Sequence, residues 1–267
     1  MSSANPYQSL ENREPGRIGC RIHYFEELDS TQQTARALAA DGAAQGTVVI
    51  AERQTAGRGR LGRSWHSPAG VNLYATTILR PAIALAEVPR LSLMAGVAAA
   101  QTLEREAPGL VTLKWPNDVW LKGRKCGGII AEALTNSGQE LDCVLLGIGI
   151  NVNLDESDIP PQLRDKATSL CIAVGHPCDR IVIANSLFTL LDYRYMEIVT
   201  GGGFAAVRAQ WERFSALTGK RVTVVDGPRR ETGVVRGIDA EGALLLDVGN
   251  VVRRILAGDV SLEGAYD

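Results

Sequence analysis

Apolar positions along the chain change their spacing several times, and each change marks an element. In RIHYFEEL (21–28) they come close to alternating, and TVVIAER (47–53) is a β-branched run, so both predict strands. Between them Asp29, Ser30 and Thr31 offer N-cap oxygens ahead of QQTARALAADG, whose Gly42 is a natural stop, which predicts a helix. NLYATTIL (72–79) reads as a third strand. Leu91, Met94, Val97, Ala98 and Leu103 recur near helical spacing and predict a long helix over 88–106. VTLKW, DVWLKG and KCGGIIAEAL follow as strands, separated by the turn chemistry of Pro116-Asn117 and Lys122-Gly123. LDCVLLGIGINVN (141–153) is an apolar strand interrupted by Gly147 and Gly149. Two helices are predicted next. The first, 180–199, is capped by Asp179 and stopped by three glycines; the second covers 203–216.

From about Gly219 the pattern changes to short strands with glycine-containing turns: RVTVV, RETGVVRGID, GALLLDV and VVRRILAGDV. That run suits a small β-barrel-like domain. The expected organisation is a polar, frayed extension over 1–20, an α+β domain over 21–217, and a small all-β domain over 218–267. Composition adds exclusions. With 267 residues, 45% hydrophobic, 22% charged and a net charge of −2, the chain has no large basic face for nucleic acid. The longest apolar runs, LMAGVAAA and VLLGIGI, are too short to span a bilayer, and the N-terminus lacks a signal-peptide pattern. Five cysteines and three histidines lie scattered without ligand spacing, which argues against a structural metal or a disulfide framework and for a reducing cytoplasm.

The candidate chemistry begins at GRGRLGRSWHSPAG (57–70). Gly57, Gly59 and Gly62 match G-x-G-x-x-G, but a dinucleotide site needs that turn to open a helix. Pro68 and Gly70 oppose a helix, and no acidic residue lies near twenty positions on, so the dinucleotide reading is rejected. What remains is a strand followed by a loop carrying Arg58, Arg60 and Arg63. Guanidinium groups grip carboxylate and phosphate oxygens in pairs, and glycines let the backbone approach an anion closely. An anion clamp is favoured over a solvated basic loop. A contact to single-stranded nucleic acid is disfavoured, because Trp65 stands alone there.

A second constellation, KWPNDVWLKGRKCGGI (114–129), sets Lys114, Asn117, Asp118 and Lys125 around a predicted hairpin. Lys125 could stabilise charge on a carboxylate or a transferring phosphoryl group, and Asp118 could hold Mg²⁺ or orient an incoming amine. Gly127 and Gly128 would let a ligand touch backbone inside a strand, and Gly147 and Gly149 fit the same logic. Asn151 could hydrogen-bond a base. Solvated surface lysines and a tight sheet crossing are the competing readings of these two segments.

Taken together, these stretches resemble the biotin protein ligases. DSTQ (29–32) is similar to the family's D-S-T-N, AERQTAGRGRLGRSW (51–65) to its Gly/Arg loop, and KWPNDVWLKGRKCGGI to its K-W-P-N-D…G-I segment. LGIGINVN and VRGIDAEGALLLDV also fit, in family order. The resemblance implies a mixed β-sheet flanked by helices with a small C-terminal SH3-like β-barrel. It implies an ATP-dependent ligase that forms biotinyl-5′-AMP with Mg²⁺ and then transfers biotin to a lysine of a biotin carboxyl carrier protein. Lys125, Arg60 and Asp118 are the implied catalytic residues, with Asp118 as the Mg²⁺ candidate. Ser30, Thr31, Gln54, Gly57, Arg58, Arg60, Lys125 and Gly128 are implied to bind biotin; Arg63, Trp65, Lys114, Asn117 and Asn151 are implied to bind ATP. The related lipoate or octanoate ligases are the alternative.

Three positions depart from the family pattern: Gln32 for Asn, Leu61 for a further basic residue, and Cys126, read as a small buried hydrophobe. The first catalytic strand near Arg21 leaves no room for the DNA-binding domain of some relatives, so DNA and membrane partners are not expected. A homodimer through an edge strand is open, and Arg236 is the most suggestive residue of the small domain.

Overall fold

A computed structural model describes residues 5–200, 203–249 and 251–262. Seven strands form the large sheet: β1 (Arg21–Leu28), β2 (Thr47–Gln54), β3 (Leu73–Leu79), β4 (Val111–Lys114), β5 (Asp118–Leu121), β6 (Arg124–Thr135) and β7 (Leu141–Ile150). They lie in the order β1-β2-β3-β7-β6-β5-β4, with β1 and β2 parallel and the other pairs antiparallel. The sheet is therefore mixed. Helices α1 (Thr31–Ala40), α2 (Val88–Glu104), α3 (Leu170–Val174), α4 (Arg180–Val199) and α5 (Ala205–Phe214) flank it. The expected α+β domain is present. The short α3, started by Ser169 accepting from the Ile172 N–H, was not read from the sequence.

The two faces of the sheet are filled unequally, because side chains alternate along each strand. Val48 and Ile50 of β2, Leu73, Ala75 and Leu79 of β3, and Val144, Leu146, Ile148 and Ile150 of β7 join one large core with α2 and α4. Leu91, Met94 and Val97 of α2 are fully buried in it, as the helical spacing predicts. The opposite face has a small core of Ala35, Ala39, Val49, Ile78, Cys143 and Leu145 beneath α1. Beyond that patch the face carries Thr76, Gly128, Gly147 and Gly149, and an open area results. Helix α4 begins where expected: the Asp179 carboxylate accepts from the Ile181 and Val182 N–H groups, a cap worth about 1 kcal/mol.

The small C-terminal sheet comprises β8 (Arg221–Asp226), β9 (Arg229–Ile238), β10 (Leu244–Val248), β11 (Val251–Ile255) and β12 (Asp259–Leu262), antiparallel in the order β11-β10-β9-β8-β12. It docks on the large domain through polar contacts with defined partners. Trp115 Nε1 donates to the Gly242 carbonyl at 3.1 Å, and the Ile238 N–H donates to Glu212 at 2.6 Å.

One expectation is corrected. Residues 5–20 are not a frayed extension. Tyr7, Leu10 and Ile18 are buried, and the Ile18 N–H donates to Asp192 at 3.0 Å. Arg17 pairs with the same carboxylate at 2.9 Å. Isolated apolar residues in a polar stretch carry no periodicity, so only their tertiary partners reveal this packing.

Candidate active site

The glycine-bearing face of the sheet carries an inner cavity of about 60 Å³. Ser30, at the N-cap of α1, is extended and caps nothing with its side chain, so its hydroxyl is left to the cavity. The Thr31 N–H and hydroxyl both donate to Gln54 Oε1, at 2.9 and 3.2 Å. Thr76 Oγ1 donates to Thr31 Oγ1 at 2.9 Å and faces Gln32 Oε1 at 3.1 Å. Gln54 Nε2 donates to Ser67 Oγ at 3.0 Å, which ties the pocket wall to the returning limb of the Gly/Arg loop.

Gly128 and Gly149 are register partners on β6 and β7, and the Trp65 ring lies over both. A Cβ on Gly149 would stand 2.8 Å from that ring, and one on Gly147 would stand 2.6 Å from Gln32 Oε1. These glycines exist for close approach. Trp65 Nε1, buried there, finds no hydrogen-bond partner in the protein.

An outer cavity of about 370 Å³ adjoins the inner one. It is walled by the Gly/Arg loop, the turn after β4, the 154–167 loop, and Asp259 and Val260 of the small domain. Gly59, Arg60, Trp65, Asn117 and Lys125 line both cavities, so the two meet at two cations. Arg60 Nη1 donates to Asn117 Oδ1 at 3.0 Å, and Asn117 Nδ2 donates to the Ile129 carbonyl at 2.8 Å. Lys125 Nζ lies 2.6 Å from Asp118 Oδ1 and 5.4 Å from the Trp65 ring centre.

Lys125 owes its aim to a bulge. The register of β5 and β6 shifts between Val119 and Trp120, which brings Lys125 onto the face of Gly128, three residues on. A Cβ on Gly128 would stand 3.5 Å from Lys125 Cε. Without the bulge, strand alternation would set the two on opposite faces.

Lys114 and Asp118 pair across the turn containing the cis Trp115–Pro116 bond. Burial, reinforced by Lys125 and Arg63, holds the Lys114 ammonium below its ordinary pKa, against Asp118 and Asp259, which favour the charged form. Lys114 also sits 4.9 Å from the Trp120 ring centre. Full burial pushes the Cys126 thiol upward, and it donates to the Asn151 carbonyl at 3.2 Å, the behaviour of a small hydrophobe.

Thirteen of the fourteen site residues implied in the sequence converge here. Ser30, Thr31, Gln54, Arg58, Arg60, Lys125 and Gly128 line the inner cavity, and Arg60, Arg63, Trp65, Lys114, Asn117, Asp118, Lys125 and Asn151 the outer. Gly57 lines neither. A Cβ there would meet the Trp65 carbonyl at 2.6 Å, so it serves the loop's own crossing. No helix follows Gly62; a short 3₁₀ turn covers Arg60–Gly62, with Leu61 at a left-handed φ of 56°, consistent with rejection of the dinucleotide reading. Arg236 points elsewhere and pairs with Asp247 within the small domain. The small domain instead reaches the cleft through Asp259, which pairs with Arg63. Gln32, Tyr74 and Thr76, also lining residues, were not marked as such in the sequence, although β3 alternation sets Tyr74 and Thr76 on one face.

Comparison with known proteins follows the same outline. Residues 24–151 match the biotin/lipoate A/B protein ligase family, and residues 217–263 match the biotin protein ligase C-terminal domain. The chain is 39% identical over 246 residues to the bifunctional ligase/repressor BirA of Bacillus subtilis, covering 92% of this chain and 75% of that protein. It is 36% identical over 250 residues to the biotin–[acetyl-CoA-carboxylase] ligase of Mycobacterium tuberculosis, covering 90% of this chain and 88% of that one. Among solved structures, the biotin protein ligase of Aquifex aeolicus in complex with biotin and ATP superposes with a TM-score of 0.79. The identity is 30%, over 91% of this chain and 98% of that one.

Proposed function

The chain belongs to the biotin protein ligase family, and on that premise we propose how its two joined cavities divide the reaction. Biotin occupies the inner cavity and ATP the outer. The observation that carries this reading is the shared wall: Arg60 and Lys125 stand where the two cavities meet. A carboxylate and an α-phosphate repel one another, and two fixed cations at their meeting point offset that repulsion.

The ureido ring of biotin lies against Ser30, Thr31 and Gln54, whose hydroxyl and amide groups match its donors and acceptors. Gly128 and Gly149 give it a bare floor. About 60 Å³ is far too little for a bicyclic ligand, so the Trp65 ring moves off that floor when biotin enters. Arg58, Arg60 and Lys125 receive the carboxylate. Arg63, Lys114, Asn117 and Asn151 serve the nucleotide side, with Trp65 beside the base.

A biotin carboxylate oxygen attacks the α-phosphorus, the bond to the β-phosphate oxygen breaks, and pyrophosphate leaves. The ε-amine of an acceptor lysine then attacks the carbonyl carbon, and AMP departs with the electron pair of the C–O bond. Asp118, 2.6 Å from Lys125, is the carboxylate at hand to orient that amine and take up its proton. A carboxyl carrier domain is the acceptor in this reading.

The residues present suit a Mg²⁺ shared with the triphosphate and not a dedicated protein cage: the described residues hold no cluster of three or more His, Cys, Asp or Glu side chains, and Asp118 is the cleft carboxylate that would face the metal. Mg²⁺ enters with the triphosphate, as part of the substrate.

The test is pyrophosphate release from ATP without carrier, comparing biotin, lipoate and octanoate. Release with biotin alone is expected. Turnover with lipoate and not biotin would move the inner cavity to another acid. Silence with all three would leave a binding protein. For localisation, no helix among the described residues is long and apolar enough to cross a membrane.

A further inference from the structure

Arg180 occupies the first position of α4, where the helix dipole favours an anion over a cation. Its side chain turns inward instead of into water. Arg180 Nη1 donates to Glu52 Oε2 at 2.8 Å and to the Asn72 carbonyl at 3.1 Å, and it reaches Tyr7 Oη at 3.4 Å. The other Glu52 oxygen is buried without a partner. A largely buried ion pair adds little to stability, because stripping water from both charges offsets their attraction. A cation at a helix start, sharing a half-satisfied buried carboxylate, therefore calls for a reason other than stability.

That reason lies in what the cluster holds. Asn72 is fully buried; its Oδ1 accepts from the Val152 N–H at 2.9 Å. Its Nδ2 donates to Tyr74 Oη at 2.9 Å and lies 3.5 Å from Asn151 Oδ1. Tyr74 Oη in turn donates to the Pro68 carbonyl at 3.2 Å. Two residues beyond Glu52 on β2, Gln54 holds Ser67. The returning limb of the Gly/Arg loop is thus fixed at two successive residues, and both fixings lead back to the segments that Arg180 joins. Burial pushes the Tyr74 hydroxyl upward and the Tyr7 hydroxyl up to about 12, so both stay protonated donors near neutral pH.

We propose that Arg180 is a positioning residue for adenylation: it lines neither cavity, yet it fixes the loop's returning limb at Ser67 and Pro68, and Asn151, with Tyr7 of the N-terminal segment as its outer brace. This rests on the assignment of the cavities to biotin and ATP. The N-terminal segment then contributes to catalysis from outside the cleft.

Arg180→Met, Arg180→Lys and Tyr7→Phe are compared in biotin-dependent pyrophosphate release and in retention of the adenylate on rapid filtration, with melting temperatures alongside. For Arg180→Met, KM for both substrates and the adenylate escape rate are expected to rise about tenfold, with the saturated rate changed less. Arg180→Lys should recover part of that loss, and Tyr7→Phe should show a smaller shift in the same direction. KM and escape within about twofold of the unaltered protein, beside a lowered melting temperature, would overturn the proposal and leave Arg180 a structural residue. Should Arg180→Met fail to fold, Glu52→Gln, which keeps the shape and removes the charge, is judged by the same readouts. The unaltered protein separates the two claims: if it releases no pyrophosphate with biotin, the cavity assignment fails and this relay with it.

Discussion

The two faces of β3, β6 and β7 are made by the same strands and do opposite work. On one face Leu146, Ile148 and Ile150 close against α2 in a continuous apolar core. On the other, one residue out of step, Gly147 and Gly149 leave bare backbone beside Thr76 and Gly128. Period-two alternation keeps the tasks apart, so the packed face can be tuned for stability while the bare face is kept open for ligand. The difference also explains why the functional face holds so little side-chain bulk of its own. Its filling is the Trp65 ring, supplied by a loop.

Three substitutions break or sharpen that contrast. The largest effect is expected from Lys125→Met, which removes a cation from the junction of the cavities. Adenylate formation should fall about 100- to 1,000-fold, with little change in the melting temperature. A rate within about tenfold of the unaltered protein would mean that Arg60 alone screens the two anions. On the packed face, Leu91→Ala should cost about 2–5 kcal/mol in denaturant unfolding and leave KM for biotin unchanged. A matching rise in KM would mean that the faces are coupled after all. The smallest effect is expected from Gly149→Ala. The added methyl meets the Trp65 ring, so KM for biotin should rise about fivefold in steady-state titration. An unchanged KM would mean that ligand contacts the sheet elsewhere.

Much of this arrangement was legible in the residues. The long periodic stretches were read nearly to their ends: α4 runs over Arg180–Val199 as its Asp179 cap predicts, and α2 ends two residues before its expected limit. The Gly/Arg loop and the segment after β4 converge on one cleft, as their charge chemistry suggested. What stayed hidden depends on partners distant in the chain. Tyr7 and Ile18 find their burial against elements more than a hundred residues away, including Asp192 and Arg180. The bulge that turns Lys125 onto the site is a matter of register between two strands, and neither strand announces it alone. Asp259 of the small domain reaches the cleft only because that domain docks where it does, and no local pattern distinguishes it from its neighbours. Nothing local to the start of α4 marks Arg180 as reaching Glu52, 128 residues away in the chain.

The position of Trp65 has an optical consequence. The chain has four tryptophans; Trp211 is buried in packed interior, Trp115 is buried at the wall of the outer cavity, and Trp120 sits on β5 against Lys114. Trp65 belongs to the Gly/Arg loop, which under the proposed assignment of the cavities changes place for the inner one to fill. Its indole now lies beside a lysine ammonium, with a buried N–H that has no acceptor. Moving it to another setting alters the field and polarity around the ring, so its emission changes as the floor is uncovered. Under that assignment, the ring over Gly128 and Gly149 is also the molecule's own fluorescent gauge of whether the floor is covered.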